Sequence, residues 1–243
     1  MTALFVGDIH GHDTWIDIVN EALLKFQKII FVGDYVDSFK IKGSIIKYNL
    51  QNIINFKIQH PNEVTLLLGN HDVAYIDTHH ATSGFNWHMY ADYKSIFEEN
   101  KDLFQIAWGY TNWKTKKYTL STHAGLTLTY YNRYIKEQLL NESSILYKLT
   151  EGKGLDMPIH EVLNFMRGSE ILWKVGSMRG GMGTPGPLWA DYQELLEDPY
   201  PGINQIFGHT ASGTVSTHQN GDDMLIKVDA YWNNRLGHMT VEL

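Results

Sequence analysis

Three short apolar runs, Leu4–Val6, Ile29–Val32 and Val64–Leu68, each stop at a glycine followed by Asp or Asn: Gly7-Asp8, Gly33-Asp34 and Gly69-Asn70. Between them lie residues 13–26 and 44–58. Their apolar positions recur on one helical face: Trp15, Ile16, Ile18, Val19, Ala22, Leu23 and Phe26, then Ile45, Ile46, Leu50, Ile53, Ile54 and Ile58. Strands that are apolar throughout and separated by helices predict a parallel sheet buried on both faces. Parallel strands all point one way, so the residues that follow them collect along one edge, where open α/β folds keep their sites. Asp8, His10, Asp34, Asp37, Asn70 and His71 all fall at that edge.

Residues 88–104, 127–140 and 159–166 carry helical spacing, while Lys117–Thr122 reads as a strand ending at His123-Ala124-Gly125. Residues 176–187, rich in Gly and Pro, predict a loop. Ile203–Phe207 is a further strand, ending at Gly208-His209-Thr210. Thr214–His218, Met224–Val228 and His238–Leu243 read as strands joined by turns at Asn220-Gly221-Asp222 and Asn233-Asn234. The expectation is a single α/β (α+β) domain over residues 1–243, its mixed or parallel strands flanked by helices.

A chain of 243 residues is long enough to bury a substantial core. Its net charge of −7 disfavours a broad basic face for extended nucleic acid. It has no cysteine, which removes disulfides, thiolate zinc sites and a Cys nucleophile, and suits the cytoplasm. The opening MTALFVGDIHGHD reads as a first strand and not a signal peptide, and no apolar stretch is long enough to cross a bilayer.

Five strand-end motifs place Gly beside a donor: Gly7-Asp8-Ile9-His10-Gly11, Gly33-Asp34-Tyr35-Val36-Asp37, Gly69-Asn70-His71-Asp72, His123-Ala124-Gly125 and Gly208-His209-Thr210. One such motif is ordinary turn chemistry; five in the same context point to a site. Carboxylates, an amide oxygen and imidazoles suit Mn²⁺, Fe or Zn²⁺ more than a soft metal, and the histidines argue against a pure Mg²⁺ or Ca²⁺ cage; Mn²⁺ is the first expectation. The donors outnumber the needs of one tetrahedral ion. Two ions about 3.5–4 Å apart would use them to clamp both oxygens of an in-line displacement.

In this order the motifs resemble those of the calcineurin-like metallophosphoesterases, and within them the phosphoprotein phosphatase and diadenosine tetraphosphatase branch, over residues 4 to about 240. The resemblance implies a central β-sandwich of mixed sheets flanked by helices. It implies that Asp8 and His10 bind a first divalent or trivalent metal, that Asp34 bridges two, and that Asn70, His123 and His209 complete the second. A hydroxide held between the ions would be the nucleophile. His71 would protonate the leaving oxygen and Asp37 would orient it. The substrate would be a phosphomonoester or phosphoanhydride: a phosphoprotein, a nucleotide or a dinucleoside polyphosphate.

Three departures bear on the substrate side. Ser38 and Leu68 stand where the branch carries phosphate-gripping arginines, and Asp72 where Glu is usual. Arg179 matches the later phosphate-binding arginine, ahead of Leu188-Trp189, and Tyr231 matches a substrate-side tyrosine loosely. The arginine losses leave one rival, a phosphodiesterase acting on cyclic nucleotides or nucleic acid; a non-catalytic scaffold of the same fold is a second alternative, against which every metal-ligand position is filled by a competent residue. The aromatics Phe85, Trp87, Tyr90, Tyr93, Trp108, Tyr110 and Trp113 are expected mainly as core, and so are Trp15, Trp173 and Trp189. His79 and His80 are expected at the surface, and His12 as structural or exposed.

Overall fold

The computed structural model describes residues 1–22, 25–77, 81–232 and 235–242, without the side chain of Trp232. Leu23, His79, His80, the Asn233-Asn234 turn and Leu243 lie outside the described residues. The chain forms two compact units. The first comprises residues 1–105, 211–216 and 228–243, and the second residues 106–210 and 217–227.

In the first unit, β1 (Thr2–Val6), β2 (Lys28–Phe31), β3 (Val64–Leu67) and β4 (Phe104–Gln105) run parallel in that spatial order. The C-terminal strand His238–Glu242 pairs antiparallel on the outer side of β1. The apolar runs are buried on both faces as their composition demands: Phe5, Val6, Ile30, Phe31, Leu66 and Leu67 are fully covered. Each such side chain contributes about 1.5–3 kcal/mol relative to exposure.

The helices of this unit are α1 (Trp15–Ala22), α2 (Gly43–Gln59), α3 (Asn70–Ile76) and α4 (Tyr90–Glu99). α1 buries Trp15, Ile18, Val19 and Ala22, and the Trp15 indole N–H donates to Asn49 Oδ1 of α2 at 2.8 Å. α2 buries Ile46, Leu50, Ile53 and Ile54 but leaves Ile45 and Ile58 exposed, so its buried face is narrower than its apolar pattern. The helix expected over 88–104 closes at Glu99. Asn100 ends it by turning its Nδ2 back onto the Ile96 carbonyl at 2.9 Å, and Phe104 pairs with Leu66 as an edge strand.

The second unit holds β5 (Ala107–Thr111), β6 (Tyr118–Thr122), β7 (Ile203–Phe207), β8 (Ser216–Asn220) and β9 (Asp223–Lys227), in the spatial order β5-β6-β7-β9-β8. β6, β7 and β9 are parallel, and β5 is antiparallel to β6. Residues 128–140 form the expected helix, with a π-helical stretch at Tyr131–Lys136 in its middle. The Gly- and Pro-rich stretch is a loop with a 3₁₀ turn at Ser177–Arg179. The class is thus mixed α/β, with two mixed sheets flanked by helices. Among the described residues no helix is long and apolar enough to cross a membrane.

Candidate metal centre

Three loops leave the carboxyl ends of β1, β2 and β3 in the first unit, and backbone hydrogen bonds fasten them in sequence. The N–H groups of Ile9 and His10 donate to the Asp34 carbonyl at 3.1 and 2.7 Å, and Gly11 N–H to the Tyr35 carbonyl at 3.2 Å. Asp72 ties the second loop to the third. Its Oδ2 accepts from the N–H of Asp34 and of Gly69, and its Oδ1 from that of Tyr35, each at 2.8 Å. His71 N–H donates to Asp34 Oδ1 at 3.0 Å. Two glycines permit this approach: a Cβ on Gly69 would lie 2.1 Å from Asp34 Oδ1, and one on Gly33 (φ +110°) 2.5 Å from Gly69 N.

The fastening holds side-chain-bearing residues in a costly conformation. Among the described residues, six that are not glycine have positive φ: His10 (42°), Asp34 (51°), Asp37 (63°), Lys116 (61°), Glu151 (53°) and His209 (66°). Such a backbone costs about 1–3 kcal/mol and persists only where its surroundings impose it. Four of the six are residues that the motifs single out, so the strain concentrates on the ends of the strands and aims their side chains.

Asp8, His10 and Asp34 each offer a donor atom, all within 4.8 Å of one another. Both carboxylates are buried, at 5% and 2% exposure. His10 Nδ1 lies 3.1 Å from the Val36 carbonyl and 3.0 Å from that of Asp37. A carbonyl only accepts, so Nδ1 is the donor there, and Nε2, 3.7 Å from Asp34 Oδ2, is the nitrogen that faces the carboxylates. An imidazole fixed through its far nitrogen is the usual arrangement of a metal-binding histidine. Two buried carboxylates side by side are costly without a cation, and with the imidazole held through its far nitrogen this donor set fits a metal. Asn70, 1% exposed, opens α3 beside it.

In the second unit β6 and β7 are parallel neighbours, and the residues after them meet. Gly208 N–H donates to the His123 carbonyl at 2.7 Å, and His123 Nε2 lies 3.2 Å from His209 Nδ1. The two rings stand edge to face at 5.1 Å, and Trp189 stands edge to face with His209 at 5.6 Å. Two imidazoles so placed can share one proton or turn both lone pairs toward a cation.

His71 sits in a polar network of the first unit. Its Nδ1 is 2.8 Å from Asp37 Oδ2 and 3.1 Å from Thr82 Oγ1. Burial works against its charged form, yet the carboxylates of Asp34, Asp37 and Asp72 outweigh that cost, and its pKa is raised. The Tyr75 hydroxyl donates to Asp37 Oδ1 and accepts the Asn86 N–H at 2.7 Å. Burial, then the bond to Asp37, pushes the Tyr75 pKa up, so it stays a donor. Asp72, Tyr75 and Thr82 were not among the residues read as functional. Asp72 was visible as the end of the third motif; nothing in the sequence marked the other two.

The substrate-side residues fall as follows. Arg179 Nε is 2.9 Å from Asp191 Oδ2, and its Nη2–H donates to Thr210 Oγ1 at 2.9 Å, beside the His209 carbonyl. The second unit thus orients this guanidinium next to His209. Tyr231, in the first unit, is 41% exposed and stacks on His12 at 4.1 Å with 28° between the rings. Ser38 Oγ accepts the N–H groups of Lys40 and Ile41 at 3.3 Å, a turn role, and Leu68 is buried, so neither grips phosphate. The aromatic segment divides: Tyr93 and Trp108 are core and Phe85 stacks on Tyr75 at 4.3 Å, whereas Trp87 and Trp113 are exposed.

Among solved structures the chain is similar to a cold-active protein-tyrosine phosphatase from the psychrophile Shewanella sp., with TM-score 0.51 and 16% identity over 99% of this chain and 80% of that one. It also matches a metallophosphoesterase from Sphaerobacter thermophilus (TM-score 0.48, 11% identity, 100% and 84%) and the phosphoesterase YfcE from E. coli (0.45, 12%, 100% and 88%). Identities this low carry likeness of fold and not of substrate. No curated protein matches. The profile of the calcineurin-like phosphoesterases matches residues 1–226 and spans all five motifs. The chain therefore belongs to the calcineurin-like phosphoesterases, a metal-dependent family of phosphoester hydrolases.

Proposed function

We propose that this hydrolase removes phosphate from a phosphomonoester or splits a phosphoanhydride, using two metal ions, Mn²⁺ foremost. Its ligands would be Asp8, His10, Asp34, Asn70, His123 and His209, with Asp34 shared. The observation that supports this reading most is the positive φ at His10, Asp34, Asp37 and His209, because strain of that kind is kept where geometry matters to function. The retention of a competent donor at every ligand position argues against the scaffold reading.

When bound, the metals supply Lewis-acid charge and water acidic enough to attack phosphorus near neutral pH. The protein's residues do the rest. His71 keeps Nδ1 on Asp37, so Nε2–H faces away as the proton to be given up. As the P–O bond breaks, that proton passes to the leaving oxygen. Asp37, held by Tyr75 and Thr82, positions the ring and favours its charged form. Arg179, oriented beside His209, would donate to non-bridging phosphate oxygens, and Tyr231 would serve as a substrate-side residue.

The test is metal removal and return with two chemical classes of substrate. A chelator should abolish release of inorganic phosphate from monoesters, and Mn²⁺ should restore it. Asp34→Asn should lower the occupancy of both metals in elemental analysis. Retention of two metals per chain in that variant breaks the ligand assignment, and turnover of bis(p-nitrophenyl) phosphate alone favours the diesterase.

A further inference from the structure

A pocket of about 310 Å³ opens beside the proposed acid. Its lining, all within the first unit, includes His10, His71, Phe39, Lys40, Gly84 and Tyr231. Its walls are rings. Phe39 is 85% exposed and offers its ring to whatever enters the pocket. Gly84, with φ +77°, lies against the Phe39 ring, and a Cβ there would be in ordinary contact with it at 3.4 Å. Tyr231 is stacked on His12, which gives the other wall a two-ring thickness. Lys40 is the cation among the described lining residues.

Phe39 and Lys40 follow Asp37-Ser38 directly, and the Ser38 turn that accepts the N–H groups of Lys40 and Ile41 sets their course out of the sheet edge. Orientation of the acid and the Phe39 side of the pocket thus come from one short segment. A group occupying this pocket lies next to His71, where the leaving oxygen must sit to receive its proton. The alcohol portion of a substrate that takes its proton from His71 would occupy this pocket.

We propose that this pocket selects phosphate esters whose leaving group carries a flat aromatic ring, held against Phe39 and the Tyr231–His12 stack, with Lys40 meeting the phosphate in place of an arginine. Rings prefer such faces because their quadrupoles add to the area buried. The proposal rests on the hydrolase reading above and narrows its substrate class.

The experiment compares kcat/KM for 2-phenylethyl phosphate and n-butyl phosphate, both esters of primary alcohols, in Mn²⁺-loaded protein. The pair nucleoside 5′-monophosphate and ribose 5-phosphate serves as a second comparison. The aromatic member should be favoured about tenfold, the worth of one good stacking contact. In Phe39→Ala and in Tyr231→Ala that ratio should fall toward one, while Lys40→Ala should raise KM for both members alike. Phe39 is exposed, so its variant folds, and circular dichroism checks this. Hydrolysis of both members at equal kcat/KM, with a ratio that no variant changes, overturns the aromatic assignment and leaves the hydrolase reading standing. No hydrolysis of either ester by metal-loaded protein overturns both.

Discussion

Replacement of Asp72 by Asn tests the frame of the metal centre directly. The residue is fully buried, and its two oxygens accept from three backbone N–H groups on two loops. An asparagine of the same shape can keep its amide oxygen toward Asp34 and Gly69, the pair that shares Oδ2. Its NH₂ then faces the Tyr35 N–H, donor against donor. One hydrogen bond to a charged group is lost, worth about 1.5–3 kcal/mol, and the two that remain lose their charge assistance. The sum is about 2–4 kcal/mol, a large fraction of the 5–15 kcal/mol by which a domain is stable. Urea unfolding of the metal-free protein should show that loss as a lower midpoint at unchanged slope. Metal affinity should fall with it, because Asp34 is aimed by this bond. A loss under about 1 kcal/mol, with metal affinity intact, would refute the reasoning that Asp72 holds the loops together.

Two further perturbations address single groups. His71→Ala should retain both metals and slow turnover by about 10²–10⁴-fold on alkyl phosphates, with a much smaller effect on p-nitrophenyl phosphate, whose leaving group needs no proton; parallel losses on the two would argue against the acid role. His160 has its pKa lowered, chiefly by burial and against the pull of Glu161, and the Tyr118 hydroxyl lies 2.6 Å from its Nδ1. The unfolded chain therefore binds this proton more readily. The stability from the site is complete above about pH 6.5 and is lost as pH falls below it. His160→Gln should cost about 0.5–1.5 kcal/mol at pH 8 and flatten the decline below pH 6.5; an unchanged profile of melting temperature against pH would contradict this.

Much of this protein follows from local pattern. Apolar runs in a parallel sheet, helical spacing between them and Gly-donor pairs at strand ends are properties of neighbouring residues. From them the sheet of the first unit, the class, and the positions of Asp8, His10, Asp34, Asn70 and His71 at one edge could all be read. That His123 and His209 each directly end a strand was legible too, but their meeting was decided by the fold, which pairs those two strands in parallel. Other features depend on segments that approach only in the folded chain. β5 escaped notice because Trp108, Gly109 and Tyr110 show no alternation of a half-buried strand, and pairing with β6 is what makes it one. The end of α4 at Glu99 was decided by Phe104 joining β3. Asp72 looked like a conservative departure from Glu; its partners Asp34 and Tyr35 lie 38 and 37 residues away. Tyr75 and Thr82 reach Asp37 over similar spans. The pocket walled by Phe39 and Tyr231 joins residues from opposite ends of the chain. Sequence by itself determined which chemistry the strand ends carry, because donor identity and strand direction are local. Tertiary structure alone decided how those donors are strained, oriented and walled in, because each of those effects needs a hydrogen bond or a ring contact between distant segments.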